Sequence, residues 1–281
     1  MAREARLSVL PRSRLLFWIL AGLGPSMAAF ADEPSEETTR AWELYTARTE
    51  ARIAQEVSAT APFSALDYAP PTTRAECRRL LAAGEVCVWK RQTLTEEGKE
   101  ISIPGGLVHH WSGAILVPNV DLQQVLELVQ AYDDSSNYFD EVEESLLLNQ
   151  DGNVYAISLR LRRRKLITVH YNTEHRVTYA RHGDGRASST SIATHIGELA
   201  DVGKPSEFEK PRAEDRSFLW ALNSYWRFSE TEGGTLVECE SLSLSRSVPA
   251  AARWLVQDFL DSVPRESLES ALTPLRDYFD R

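Results

Sequence analysis

Two glutamates one residue apart, Glu238 and Glu240, interrupt the otherwise apolar run GGTLVECESLSLSRSVP at 233–249. Strand residues i and i+2 stand roughly 6.6 Å apart on one face. That separation suits a general acid paired with a general base. It also suits a metal-ligand pair, polar anchors on the floor of an apolar cavity, or carboxylates held by arginines. A metal is the weakest of these readings, because His170 and His175 fall on opposite strand faces and neither H-E-x-x-H nor C-x-x-C occurs. G-x-S-x-G and a Gly-rich phosphate loop are missing as well, so no cofactor is expected.

The elements around the pair decide its surroundings. A three-residue loop, Thr231-Glu232-Gly233, with Gly233 left-handed is a favoured hairpin connection. It predicts Phe228 opposite Leu236, Trp226 opposite Glu238, Ser224 opposite Glu240, Leu222 opposite Leu242 and Trp220 opposite Leu244. Opposed residues share a face, so Phe218, Trp220, Leu222, Trp226, Phe228, Leu236, Leu242 and Leu244 would form one covered wall. Only Ser224, Glu238 and Glu240 interrupt it. Two unpaired carboxylates there would cost several kcal/mol, so each must find a donor, protonate or reach water in a cavity. An aromatic wall is a poor sugar cleft. Two readings stay open: an ion network with arginines such as Arg227 or Arg246, or polar anchors of an apolar pocket.

Along the chain, Thr39–Val57 is expected to be a helix. A Pro-rich connector, a helix with Cys77 ending at Gly84, and a hairpin over VCVWKRQTLTEEGKEISIPGG turning at Glu97-Gly98 follow. Residues 32–104 thus read as an arm, and 105–281 as the main domain. There the pattern predicts a strand over LVHHWSGAILV and a helix from an Asp121 cap. After the break DDSSNYFDEV come the strands ESLLLNQ, VYAISLRLR, LITVHYNT, HRVTYARHG, SSTSIATHIGEL, SFLWALNSYWRF and TLVECESLSLS. A long closing helix carries Trp254, Leu255, Phe259, Leu260, Leu268, Leu272 and Leu275 as core residues. Consecutive strands on short turns are antiparallel, which gives an α+β class.

The N-terminus is of another kind. Arg3, Arg6, Arg12 and Arg14 precede an apolar run from Leu15 to Leu23, then Ala29-Phe30-Ala31. That is the layout of a secretory signal peptide cleaved after Ala31, and the run is short of the roughly 20 residues a span needs. Removing residues 1–31 moves the formal charge from −10 to −13. Such an acidic protein is a poor partner for nucleic acid or anionic membranes. The basic run RLRRRKL at 160–166 alternates with leucines, as a strand with a charged outer face does. In a secreted or periplasmic setting Cys77 and Cys87, ten apart, are candidates for a disulfide, with two free thiols the alternative. Cys239 reads as a buried small hydrophobe. His109-His110 reads as edge solvation, and His195 as a satisfied core histidine.

The order strand, helix, antiparallel strands, long C-terminal helix resembles the helix-grip fold of the START and Bet v1-like (SRPBCC) superfamily, which includes polyketide cyclases and coenzyme Q-binding proteins. The residues that carry the likeness are His109-His110-Trp111-Ser112-Gly113-Ala114, Tyr132-Asp133, Tyr138-Phe139, Gly233-Gly234-Thr235-Leu236-Val237-Glu238, Ser247-Val248-Pro249 and Val263-Pro264-Arg265-Glu266-Ser267-Leu268. It spans 105–281 and leaves the arm outside. It implies a curved sheet wrapped around the last helix, with an apolar or lipid-like small molecule between them, and places Tyr132, Tyr138 and Phe139 near the pocket mouth. Expected ligand-contact residues are Trp220, Leu222, Trp226, Phe228, Glu238, Glu240, Leu242 and Tyr138. The favoured function is binding without catalysis. The alternatives are an aromatase/cyclase-type enzyme using Glu238 or Glu240, and an envelope protein docking through its arm.

Overall fold

The computed structural model describes residues 33–58, 62–164, 168–183, 185–211, 219–247 and 250–280, without the side chains of 250–261, 263 and 264. The expected leader 1–31, Phe218, Val248-Pro249 and the side chains of Trp254, Leu255, Phe259 and Leu260 lie outside this description.

Residues 33–281 form one compact unit. Its described elements are helix α1 (Glu36–Glu56), a 3-10 turn (Ala65–Tyr68), α2 (Pro71–Ala82), β1 (Cys87–Lys90), β2 (Gly106–Pro118) and α3 (Leu122–Gln130). They continue with a second 3-10 turn (Tyr132–Asn137), β3 (Val142–Asp151), β4 (Val154–Arg164), β5 (Thr168–Arg181), β6 (Arg186–Ala200), β7 (Phe208–Glu209), β8 (Leu219–Thr231), β9 (Gly234–Arg246) and α4 (Ala250–Phe279). The strands make one antiparallel sheet in the order β1-β2-β9-β8-β6-β5-β4-β3, with β7 added to β6. The architecture is α+β, a curved sheet gripping its C-terminal helix, as expected.

Local chemistry explains most of the boundaries. Asp121 caps α3 in a reciprocal capping box with Gln124, and α3 buries Leu122, Val125, Leu126 and Leu128. Helix α1 buries Thr38, Tyr45, Thr49 and Glu56, a largely polar stripe. This is why its apolar periodicity is weak. The α4 leucines Leu268, Leu272 and Leu275 pack on the sheet with Ile115, Val117, Phe228 and Val237. Gly113 is required there, since a Cβ would come within 2.7 Å of Leu272.

Three expectations are corrected. LITVHYNT and HRVTYARHG are a single strand, β5: its pairing with β4 runs unbroken through Glu174 and His175, and the bulge beside them puts the extra residue, Thr194, on β6. The 87–105 segment is not a long hairpin. β1 pairs instead with β2, placing Val88 opposite Gly113, while the turn at Gly98 closes only the bridge Leu94–Glu100. Most consequential is the β8–β9 register, which is shifted by one residue from the expected one. The loop is the two residues Glu232-Gly233, and Gly234 rather than Gly233 takes positive φ (129°). A Cβ on Gly234 would lie 2.1 Å from the Val117 carbonyl, so the end of β2 fixes this glycine in place.

Candidate functional site

A one-residue slip sends every side chain of one strand to the other face. Here it resolves the oddity of carboxylates on an aromatic wall. Trp226 and Phe228 stand opposite Cys239 and Val237, while Arg227 stands opposite Glu238 and Tyr225 opposite Glu240. Of the eight expected ligand residues, Trp226, Phe228 and Tyr138 belong to the core beneath α4, and Leu222, opposite Ser243, lies on the same face of β8 as Trp226 and Phe228. Glu238, Glu240 and Leu242 belong to the opposite face, beneath the arm. Trp220 sits in a bulge between Leu219 and Ala221, half-buried. The eight do not form one wall.

On the arm side the carboxylates are enclosed. Glu240 is 3% exposed and its Oε1 takes hydrogen bonds from Arg52 and from His110 Nε2 (2.6 Å), with the Arg91 guanidinium 3.4 Å from Oε2. Burial pushes its carboxyl up, but the His110 bond and the fields of Arg91 and Arg52 outweigh this and hold it well below the usual range. His110 is pushed down, chiefly by burial. A neutral ring with its proton on Nε2 satisfies both neighbours, since Tyr45 Oη can then donate to Nδ1 (3.0 Å) while accepting from the Thr93 N–H (2.9 Å). Glu56 completes the cluster, receiving bonds from Arg52 (2.9 Å) and from Arg227, whose other arm donates to the Phe63 carbonyl (2.9 Å). Glu238, 2% exposed, accepts from Ser64 Oγ (2.8 Å) and from the N–H groups of Ala65 (3.1 Å) and Leu66 (2.9 Å). It therefore caps the 3-10 turn of the arm, although burial raises its carboxyl against those bonds and the field of Arg227. Cys77 and Cys87 are joined by a disulfide, Cα–Cα 5.1 Å, that ties α2 to β1.

The concave face differs. Register places Trp111, Ser241, Ser224, Ser191, Val177 and Tyr155 in one row across the sheet. The next row holds His109, Ser243, Leu222, His175 and Ile157. Ser191, Ser224, Ser241, Ser243, Leu222 and Trp111 are half-buried, whereas Glu238, Glu240, Leu242 and Leu244 on the other side of β9 are all nearly inaccessible. His175 is bonded to Thr173 Oγ1 (3.1 Å) and Ser191 Oγ (3.3 Å), and burial pulls it down to about 4, so it is neutral. Trp226 Nε1 donates to Ser224 Oγ (3.1 Å). At the α3 end the Tyr132 and Tyr179 hydroxyls meet at 2.8 Å, with Tyr155 against both rings, and Tyr138 Oη donates to the Leu128 carbonyl (2.9 Å). The surface is aromatic and aliphatic, with a stripe of hydroxyls and one neutral imidazole.

Sequence reasoning missed Ser191, Ser224, Ser241, Ser243 and His175 as lining. The alternation Tyr171, Thr173, His175, Val177, Tyr179 was the available signal. His109 is half-buried and bonded to Ser245 Oγ (2.9 Å), and His110 is buried, so neither is at a solvated edge. His195 is partly exposed and meets Glu209 (2.9 Å) rather than lying in the core. Arg160 and Arg162 sit on the outer face with Glu143 and Glu207 as partners. Among the described residues no group of His, Cys, Asp and Glu could hold a metal ion.

No protein-family model matches the sequence, and no curated protein is significantly similar to it. Among solved structures, the chain is similar to a STAR-related lipid transfer protein from Xanthomonas axonopodis at 15% identity, covering 64% of this chain and 96% of that one with a TM-score of 0.43. It is similar to human STARD10 at 9% identity, 69% and 71% coverage and a TM-score of 0.44. For the Zhui aromatase/cyclase of a Streptomyces species the values are 9%, 62%, 95% and 0.43.

Proposed function

We propose that the protein binds an apolar or amphipathic small molecule of lipid-like character between the concave face and α4, and performs no chemistry on it. The observation that carries this reading is the half-buried state of the Ser191–Ser224–Ser241 row and its neighbours, on the other side of β9 from the nearly inaccessible Glu238, Glu240, Leu242 and Leu244. Apolar walls with a few convergent polar groups are the usual make-up of a small-molecule site. The tyrosines, Trp111, Trp226 and Leu222 supply area for an apolar body. The serine hydroxyls and His175 supply donors and acceptors for a polar end. In this reading Glu238 and Glu240 fasten the arm to the sheet, and their place beneath it gives them no part in acid–base chemistry.

The same reading places the mature protein outside the cytoplasm, beginning at Asp32. The Cys77–Cys87 disulfide supports it, since such bonds persist in oxidising compartments. Among the described residues no helix is long and apolar enough to cross a membrane. An acidic surface whose Arg160 and Arg162 are occupied by carboxylates gives nucleic acid no footing. The test is native mass spectrometry of the purified chain, followed by organic extraction and by titration with a polarity-sensitive fluorophore. A co-purifying apolar adduct, or saturable fluorophore binding displaced by an apolar competitor, is expected. The absence of both an adduct and saturable binding would contradict the reading.

A further inference from the structure

The serine row of the concave face has a direction. Thr173 Oγ1 donates to the Leu159 carbonyl (3.2 Å), so in its contact with His175 Nε2 (3.1 Å) it can only accept, and the ring proton sits on Nε2. The ring is neutral, since burial pulls His175 down to about 4. Nδ1 is therefore a bare lone pair, and Ser191 Oγ donates to it (3.3 Å). A hydroxyl has one proton, and that of Ser191 is spent, so toward the space in front of the sheet it offers lone pairs alone. His175, with both ring nitrogens committed, acts there through Ser191.

Ser224 is oriented the other way. Its Oγ accepts from Trp226 Nε1 (3.1 Å), and an indole N–H cannot accept in return, so the Ser224 proton remains to be given. Among the described residues neither serine has a further hydrogen-bond partner. The two are directly paired across β6 and β8, and both are half-buried. Directly opposed residues hold their Cβ atoms about 4.5–5.5 Å apart. One oxygen lying between two hydroxyls at that spacing can bond to both. Ser241, on the far side of Ser224, forms no hydrogen bond among the described residues and can turn either way, so it adds polarity without direction.

A group that fits this pair must donate to Ser191 and accept from Ser224. An alcohol does both with one atom. A ketone, ester or ether only accepts, and would set its lone pairs against those of Ser191 and leave that acceptor unpaired. A site built to hydrogen-bond a hydroxyl rejects the analogue lacking it. Building on the ligand site argued above, we propose that the polar end of the ligand is a hydroxyl group held between Ser191 and Ser224, and that the site discriminates apolar alcohols from carbonyl compounds of the same shape.

The test is displacement of a polarity-sensitive fluorophore from the purified chain by cyclododecanol and by cyclododecanone, which share one carbon skeleton. The alcohol is expected to bind at least about fivefold more tightly than the ketone. In Ser191→Ala, and in His175→Phe, which frees the Ser191 proton, that ratio should fall at least about threefold with ketone affinity retained. A loss of stability alone would lower both affinities together and leave the ratio unmoved. Should either variant fail to fold, the ratio in the unaltered chain decides. Equal displacement by alcohol and ketone, or a ratio unchanged in the folded variants, would overturn the assignment while leaving the ligand site standing. No saturable fluorophore binding, or displacement by neither compound, would overturn the site and the assignment together.

Discussion

On the arm side of the central strands, Glu238 and Glu240 take most of their partners from outside the sheet: Arg52 from α1, Ser64–Leu66 from the 3-10 turn and Arg91 from beyond β1, with His110 of β2 beside them. Around the serine row of the concave side the polar bonds run within the sheet itself, Trp226 to Ser224 and His175 to Thr173 and Ser191, while at the α3 end Tyr132 bonds across to Tyr179. Bonds between layers fasten two elements to each other, whereas bonds within one layer order the side chains of a single face. In the function proposed above, that difference separates the polar groups that fasten the arm from those offered to a ligand.

The largest effect expected from breaking this contrast lies in the ion cluster. Glu240→Gln leaves Arg52 and Arg91 short of a counter-charge, and should cost about 3–5 kcal/mol of stability with no change in the ligand affinity of the folded fraction. Chemical denaturation with and without ligand checks it. Next comes the disulfide: Cys87→Ser should cost about 2–4 kcal/mol. Thiol labelling of denatured, unreduced protein should modify Cys239 alone, and three labelled thiols would show the pair to be reduced.

A smaller, pH-dependent effect belongs to the concave face. His175 titrates near 4 in the fold and near 6.5 when unfolded. Between those values the unfolded chain takes up a proton that the native state refuses, so stability falls as pH drops from 6.5 to about 4 and loses nothing further to His175 below that. The loss is at most about 3 kcal/mol. His175→Gln should flatten this part of the stability profile, leaving the slope in the same direction that His110 contributes.

How much of this was legible in the sequence follows from the range of each interaction. The antiparallel order, the Asp121 cap and the closing helix rest on local pattern and were legible, although two expected strands merge into β5 and the expected hairpin around Gly98 shrinks to one bridge. The face of Glu238 and Glu240 rested on one loop. Choosing Gly233 over Gly234 as the positive-φ residue reversed it, because what fixes Gly234 is the Val117 carbonyl from another strand. The partners of Glu240 lie up to 188 residues away, and no spacing rule points to Arg52. The concave serines were overlooked for a different reason: each is a single small residue in an apolar strand, and they become a row only when β6, β8 and β9 are in register.

The central claim, that a ligand site lies in front of the concave face, is tested most directly by filling it. Ser224→Trp places an indole in the middle of the half-buried serine row. If the space is a ligand site, polarity-sensitive fluorophore binding should fall at least about tenfold with the melting temperature nearly unchanged, because the ring occupies room that the ligand would take. In a filled interior the same ring would overpack the core, at a cost of about 1–3 kcal/mol. A marked drop in melting temperature with fluorophore affinity unchanged in the folded protein would contradict the account.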